Sequence, residues 1–333
     1  MKSLSKALFT AVILITVLSL VGCAGPAATT APPAPTTKAL KTYKTLVVGF
    51  AQIGAESGWR DGETQSIKDT AAKLGVDLKF SDAQQKQENQ IKALRGFIAQ
   101  KVDVIGIPPV VTTGWDAVFK EAKDAGIPII LVDRRADVPD DYFTTFIGSD
   151  FVLEGKNAAI ELAKLVNNKA NIVELEGTVG AGPAIDRKKG FDDEIAANYK
   201  DIKILESQSG DFNLAKGKEV MQSFLKKYPD QIQAVYAHND EMALGAIQAI
   251  EEVGLKPGVD IKIVSIDGEK AIFEAMAAGK ANVTVECNPL LGPQFFEAAL
   301  KVANGESVDK WIKSNEGIFG QDTAAAELPN RVY

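Results

Sequence analysis

Carboxylates, arginines, an amide and aromatic rings are the groups best suited to hold a small polar molecule, and in this chain they recur at one kind of place. Glu56, Trp59, Arg60, Asp133, Arg134, Arg187, Asp211, Phe212, Asn239, Asp267 and Glu286 follow short apolar runs. Carboxylates accept hydrogen bonds from hydroxyls, a guanidinium donates in a planar fork, an amide does both, and a Trp or Phe ring covers an apolar C–H face. That mixture suits a neutral sugar. A phosphate or nucleotide would call for donors without nearby carboxylates and a glycine-rich loop opening a helix. Gly180 and Gly182 begin such a pattern, but Ile185 stands where the dinucleotide spacing needs its third glycine.

Catalysis is poorly provided for. His238 is the only histidine and adjoins Asn239, with no nucleophile motif beside it. Without a second His or a Cys cluster, a transition-metal site lacks ligands, so neither a metal nor a cofactor is expected. Paired carboxylates would serve a glycosidase. Arg60, Arg134 and Arg187, however, are expected to keep neighbouring acids ionised, which disfavours a general acid. The formal charge of −7 argues against a nucleic-acid partner, because phosphate contacts need clustered Lys and Arg.

The elements that must position these residues follow a regular alternation. Short runs rich in Val and Ile (46–50, 76–80, 104–107, 129–132, 172–175, 202–205, 234–236 and 261–266) predict strands. Segments of helical period, such as 88–100, 115–125 and 214–227, lie between them. Strand–helix alternation predicts α/β domains with doubly wound parallel sheets. The plan also occurs twice. In the first half, runs lead to Trp59 and Arg60, Asp82, Pro108, then Asp133 and Arg134. In the second, they lead to Arg187, Asp211 and Phe212, Asn239 and Asp240, then Asp267. Ligands of an open parallel sheet bind beyond the carboxyl ends of its strands. Two such sheets facing each other would therefore point all these side chains into one cleft.

Each residue alone has an ordinary alternative: an Asp after a strand is commonly a helix N-cap, Arg187 stands beside Lys188 and Lys189, and Phe212 would serve in a core. The shared register favours the site. Trp115 fits a cleft rim or a core equally well, and Trp311 is expected to pack the C-terminal segment. Cys287 is expected to be a small structural residue, with no disulfide partner in the globular part.

The N-terminus carries Lys2 and Lys6, an apolar run to Val21, and then Leu20-Val21-Gly22-Cys23. A charged start, a short apolar segment and small residues predict an export signal over residues 1–22. The last four residues resemble a lipobox with Cys23 as the lipidated residue, which would anchor the protein to a membrane on its outer side. Residues 23–43, rich in Ala, Pro and Thr, read as a semi-extended tether.

Three segments carry a family resemblance: Ile130-Leu131-Val132-Asp133-Arg134, the run from Asn239 through Asp240, Glu241 and Met242 to Ala246, and Ile266-Asp267-Gly268. Together the chain resembles the type I periplasmic sugar-binding proteins of the ribose and galactose kind. Around Trp59, residues 84–90, Gly177, Arg187 and Phe212 it is most similar to the galactofuranose-binding members. The resemblance implies two lobes, residues 44–149 plus 288–316 and residues 150–287 plus 317–333, joined by three crossovers that act as a hinge. It further implies a small sugar covered by Trp59 and Phe212, with Arg60, Asp133, Arg134, Arg187, Asn239, Asp267 and Glu286 as hydroxyl partners. The implied partners are the permease subunits of an ABC importer, with a membrane chemoreceptor as the alternative. A monomer that is not an enzyme is expected. The lipobox departs from the enteric relatives, and the match loosens after Pro293. On this reading, Arg187→Ala should weaken sugar binding at least tenfold and leave the fold intact.

Overall fold

The computed structural model describes residues 39–333. The export signal, Cys23 and all of the 23–43 tether before Ala39 lie outside the described residues. The end of that tether is already part of the globular body. The Lys41 amide donates to Asn304 Oδ1 at 2.7 Å, its ammonium lies 2.8 Å from Asp103 Oδ2, and Tyr43 packs against the first lobe's core.

The chain begins with β1 (Val47–Gln52), α1 (Gly58–Leu74), β2 (Asp77–Asp82), α2 (Gln87–Gln100), β3 (Val104–Ile107), α3 (Asp116–Asp124), β4 (Ile129–Val132) and β5 (Thr145–Gly148). It then passes into α4 (Phe151–Leu165), β6 (Lys169–Glu176), α5 (Gly182–Asn198), β7 (Asp201–Ser209) and α6 (Leu214–Lys227). The second series continues with β8 (Ala234–Ala237), α7 (Asp240–Glu252), β9 (Lys262–Asp267), α8 (Lys270–Ala277) and β10 (Val283–Glu286). It returns for α9 (Gly292–Ala303) and β11 (Trp311–Lys313), then crosses once more for β12 (Ile318–Gly320) and α10 (Gln321–Glu327).

Two sheets result, ordered β11-β5-β4-β3-β1-β2 and β12-β10-β9-β8-β6-β7, the same winding used twice. All pairings are parallel except that of β12 with β10. Strands β3, β4, β5 and β8 are buried along their whole length, because helices cover both faces of each sheet. In the first lobe, α1 and α9 bury Ile67, Ala71, Phe295 and Phe296 on one face, and α2 and α3 bury Leu94, Phe97, Val118 and Phe119 on the other. In the second, α4 and α5 pack one face, and α6, α7 and α8 the other. The chain therefore passes between sheets at 149–150, 287–291 and 314–317.

Trp115 settles into the first lobe's core against Phe119, with ring centroids 5.8 Å apart, and is not a rim residue. Trp311 packs on Phe146. Strands β5, β10, β11 and β12, absent from the apolar runs, are only three or four residues long. Thr145, Thr284, Lys313 and Gly320 interrupt their apolar character, unlike the Val- and Ile-rich runs of the equally short β3 and β4.

Two glycines set the geometry that matters most for the site. A Cβ on Gly155 of α4 would lie 2.0 Å from the Arg187 carbonyl oxygen, and one on Gly190 of α5 would lie 2.0 Å from that of Val152. The two helix backbones are thus in contact. This close approach carries Glu154 onto the Arg187 side chain.

Candidate functional site

Loops at the carboxyl ends of both sheets meet in a small, largely filled cavity. The first lobe contributes Glu56, Ser57, Trp59, Arg60, Asp133 and Arg134; the second contributes Pro183, Arg187, Phe212, Asn239, Asp267 and Cys287. Asp133 directly follows β4 and Asp267 ends β9, equivalent strands of the two sheets. Both have positive φ, 60° and 133°, as does Phe212 at 57°. Such backbone conformations cost roughly 1–3 kcal/mol each and cluster where surrounding structure fixes a side chain for use. The repeat extends to the turns after β2 and β7, where Gln84 and Gln85 match Asp211 and Phe212 in left-handed conformation.

On the first-lobe wall, Arg60 is fully buried and engaged on three sides. Its Nε donates to Glu56 at 3.0 Å, Nη2 to Asp133 at 2.6 Å, and Nη1 to Glu63. Arg134 Nη2 lies 3.4 Å from the same Glu56 oxygen and its Nη1 donates to the Val110 carbonyl. Burial pushes the Glu56 carboxyl up, but the guanidiniums of Arg60 and Arg134 outweigh it and hold Glu56 below its ordinary range. Burial dominates at Glu63, which is raised despite Arg60.

The second-lobe wall is built on Arg187. Its Nε donates to Glu154 at 2.7 Å, Nη1 to the His238 carbonyl at 2.6 Å, and Nη2 to Asp267 at 3.3 Å. Burial would lower the guanidinium's pKa, but Glu154 and Asp267 hold it firmly charged. The same burial pushes Glu154 and Asp267 above the usual carboxylate range, although both share Arg187. The arginines therefore outweigh burial at Glu56, as expected of neighbouring acids, while burial outweighs them at Glu63, Glu154 and Asp267.

Glu56 Oε2 and Arg134 Nε are buried and without hydrogen-bond partners, and both residues line the cavity. Leaving such groups unmatched costs about 1–3 kcal/mol each. They are an acceptor and a donor with unused hydrogen-bonding capacity at the cavity wall, Arg134 Nε standing 3.6 Å from Asp133 Oδ2. The Phe212 ring faces Arg134 of the other lobe at 5.5 Å, and the Trp59 indole nitrogen donates to the Cys287 carbonyl across the cleft. Phe212 is seated by Gly177, where a Cβ would lie 2.0 Å from the ring.

Not every expected residue reaches the cavity. Asp211 is exposed, with its carboxylate beside Ser209 Oγ in its own turn. Glu286 accepts from Arg331 at 2.6 Å and from the Gly317 amide at 2.9 Å, stitching the third crossover to the second lobe. Asp240 lies behind the wall, accepting from the Gly268 and Glu269 amides, Ser265 and Thr284, with burial pushing it up to about 7. Asn239 lines the cavity, but its amide already caps α7 through the Met242 N–H and holds the Phe212 carbonyl. His238 is buried; its Nδ1 accepts from the Gly177 amide at 3.3 Å and its Nε2 donates to Glu174 at 2.9 Å, which places its carbonyl under Arg187.

Sequence reasoning missed Ser57, Pro183 and Cys287 in the wall, and Glu63 and Glu154 behind it. Glu63 was within reach of it, three positions after Arg60 on one helix face. Glu154 carries no local signal, because only the packing of α4 on α5 brings it to Arg187. Cys287 is free and buried, and burial raises its thiol well above the reactive range.

The three crossovers are tied at one carboxylate. Glu316 Oε1, in the third, accepts from Ser149 Oγ in the first and from the Asn288 amide, at 3.3 Å, in the second. Burial, reinforced by Glu154, pushes Glu316 up to about 8. A carboxyl raised on folding stabilises the fold at low pH, and that contribution is lost as pH rises from the ordinary value of 4.5 through about 8. Glu316→Gln removes the titration and keeps an acceptor for Ser149. Its melting temperature is expected to match the parent at pH 5 and exceed it by several degrees at pH 9. Parallel pH profiles for the two proteins would contradict this assignment.

Residues 48–307 match the family model described as a periplasmic binding protein domain. The chain is 52% identical over 291 residues to the galactofuranose-binding protein YtfQ of Escherichia coli (strain K12), covering 86% of this chain and 91% of that protein. The periplasmic binding protein component of the arabinose ABC transporter from Shewanella sp. ANA-3, solved with α- and β-L-arabinofuranose, is 53% identical with a TM-score of 0.83, covering 86% of this chain and 95% of that one. A Mycobacterium smegmatis protein in complex with β-D-fucofuranose is likewise 53% identical with a TM-score of 0.83, covering 86% and 94%.

Proposed function

This chain belongs to the periplasmic binding proteins, and from that premise we propose that its interlobe cavity takes a small sugar in the five-membered furanose form. Proteins of this family are extracytoplasmic solute-binding components of ABC importers rather than enzymes, and the chain captures a sugar in its cleft for such an importer. The observation that carries the finer reading is the small cavity walled by Arg60, Arg134 and Arg187 with their acids, its Glu56 and Arg134 atoms unmatched, and Trp59 and Phe212 on opposite lobes. The relatives solved with arabinofuranose and fucofuranose support the ring size.

In this reading, hydroxyls satisfy Glu56 Oε2 and Arg134 Nε, the two aromatic rings cover the sugar's apolar faces, and Asp133, Asp267 and Arg187 complete the polar contacts. Asp211, Asn239 and Glu286 serve the frame. The lobes, residues 44–149 plus 288–316 and 150–287 plus 317–333, close about the three crossovers, and the permease reads the closed form through both. Lipidation at Cys23 holds the monomer at the membrane through its tether.

The ring form is tested by carbon NMR with L-arabinose labelled at C1, because the anomeric shifts of furanose and pyranose separate. The expected bound signal is a furanose; a bound pyranose signal would overturn the proposal. Thermal shift against pentoses and hexoses ranks the sugars, since a ligand at a hundred times its Kd adds about 2.7 kcal/mol. Cys23→Ser should release the protein from the membrane fraction.

A further inference from the structure

The lobes also touch outside the cavity, and one of these contacts is built as a helix cap supplied from the opposite lobe. The N-terminus of α1, the helix carrying Trp59 and Arg60, leaves its first amides without partners inside the helix. Ser57 Oγ takes the Arg60 amide at 3.2 Å. The Gly58 and Trp59 amides are taken by the second lobe instead: Glu241 Oε1, in the first turn of α7, accepts from Gly58 at 3.0 Å, and Glu269 Oε1, just before α8, accepts from Trp59 at 3.0 Å. Glu269 is 4% exposed, so its carboxyl is committed to this seam. Gly58 permits the approach; a Cβ there would stand 3.1 Å from Glu269.

We infer that Glu241 and Glu269 form a closure clasp: positioning residues that cap α1 only when the lobes are shut, and thereby set how long a captured sugar is retained. The inference rests on the reading that the lobes close on a sugar. Neither residue lines the cavity. Opening the cleft exchanges both acceptors for water, and with them the restraint that holds Trp59 and Arg60 against the ligand. The clasp therefore acts on release rather than capture. Burial and the neighbours Asp240 and Glu241 push the Glu269 carboxyl up, and its oxygen accepts from Trp59 in either protonation state. The Thr112 amide also donates to the Gly180 carbonyl at 3.0 Å, a further bond between the lobes outside the cavity.

The test uses stopped-flow tryptophan fluorescence with L-arabinose as the probe, together with small-angle scattering of the same proteins. Glu269→Ala is expected to raise the dissociation rate about tenfold and Glu241→Ala a few-fold, with association unchanged within about twofold. Glu269→Gln, whose amide oxygen still accepts from Trp59, should release at close to the parental rate. Dissociation of Glu269→Ala at the parental rate, or a fall in association equal to the affinity loss, would overturn the clasp. Scattering separates this from failure of the sugar reading. The parent's radius of gyration should shrink when L-arabinose is added; no contraction would overturn the sugar reading on which the clasp rests, whereas contraction of the parent together with parental release from Glu269→Ala would overturn the clasp alone.

Discussion

Replacing Arg187 with methionine is expected to weaken sugar binding by about tenfold to a hundredfold, the value of one or more charge-assisted hydrogen bonds. The structure adds a second effect that the residue pattern did not foresee. Arg187 is buried between Glu154 and Asp267, so its removal leaves two acids facing one another without a counter-charge. Breaking a buried pair in this way destabilises by roughly 3–5 kcal/mol. The sugar-free melting temperature should therefore fall, contrary to the expectation of an intact fold. Arg187→Met with Glu154→Gln separates the two roles: neutralising Glu154 should restore much of the stability and none of the affinity. Calorimetry and thermal melts on both proteins decide it. Parental affinity in the stable double variant would remove Arg187 from the binding site.

The largest loss of stability is expected from Arg60→Met. This guanidinium serves Glu56, Glu63 and Asp133 at once, and both it and Glu63 are sealed from solvent. Without it three carboxyls crowd a dry wall, and a penalty at or above the roughly 3–5 kcal/mol of a broken buried pair follows. The effect should depend on pH with a definite sign. Uncompensated buried acids take up protons, so their folded pKa values rise and the variant loses stability as pH increases. Urea titrations should show a larger deficit at pH 8 than at pH 5, and Glu63→Gln added to Arg60→Met should recover part of it. A deficit that shrinks with rising pH would mean that these acids were never sealed by Arg60.

Both variants bear on what the cavity is made of. Its charged residues are mostly spent on one another, and each wall has one arginine holding two or three acids. In the proposed function the ligand would meet the few atoms left over, Glu56 Oε2 and Arg134 Nε foremost. A sugar that matches them would gain the bonds they lack, and a wrong epimer would leave them unmatched at about 1–3 kcal/mol each. Selectivity would then arise from a rigid, nearly satisfied frame. That frame also explains why Asn239, a plausible hydroxyl partner by type, is committed to capping α7 and holding the Phe212 turn.

The double α/β plan was legible in the sequence, because parallel strands buried on both faces must be continuous Val- and Ile-rich runs and the helices between them must be amphipathic. The same register placed Trp59, Arg60, Asp133, Arg134, Arg187, Phe212 and Asp267 after strands, where an open sheet presents its ligand-binding loops. It did not distinguish a residue that faces the cavity from one that turns away, since both follow the same strand. Asp211 shares the positive φ of Asp133 yet is exposed beside Ser209 in its own turn, and Glu286 is drawn away by Arg331 and the Gly317 amide. Contacts made through packing of separate elements have no local pattern: Glu154 on Arg187, Glu316 across three crossovers, Glu241 and Glu269 on α1. Strand and helix follow from periodicity along the chain, which is a local property. Which carboxylate meets which guanidinium follows from how those elements cross, and in this protein that is decided at contacts such as Gly155 against Arg187.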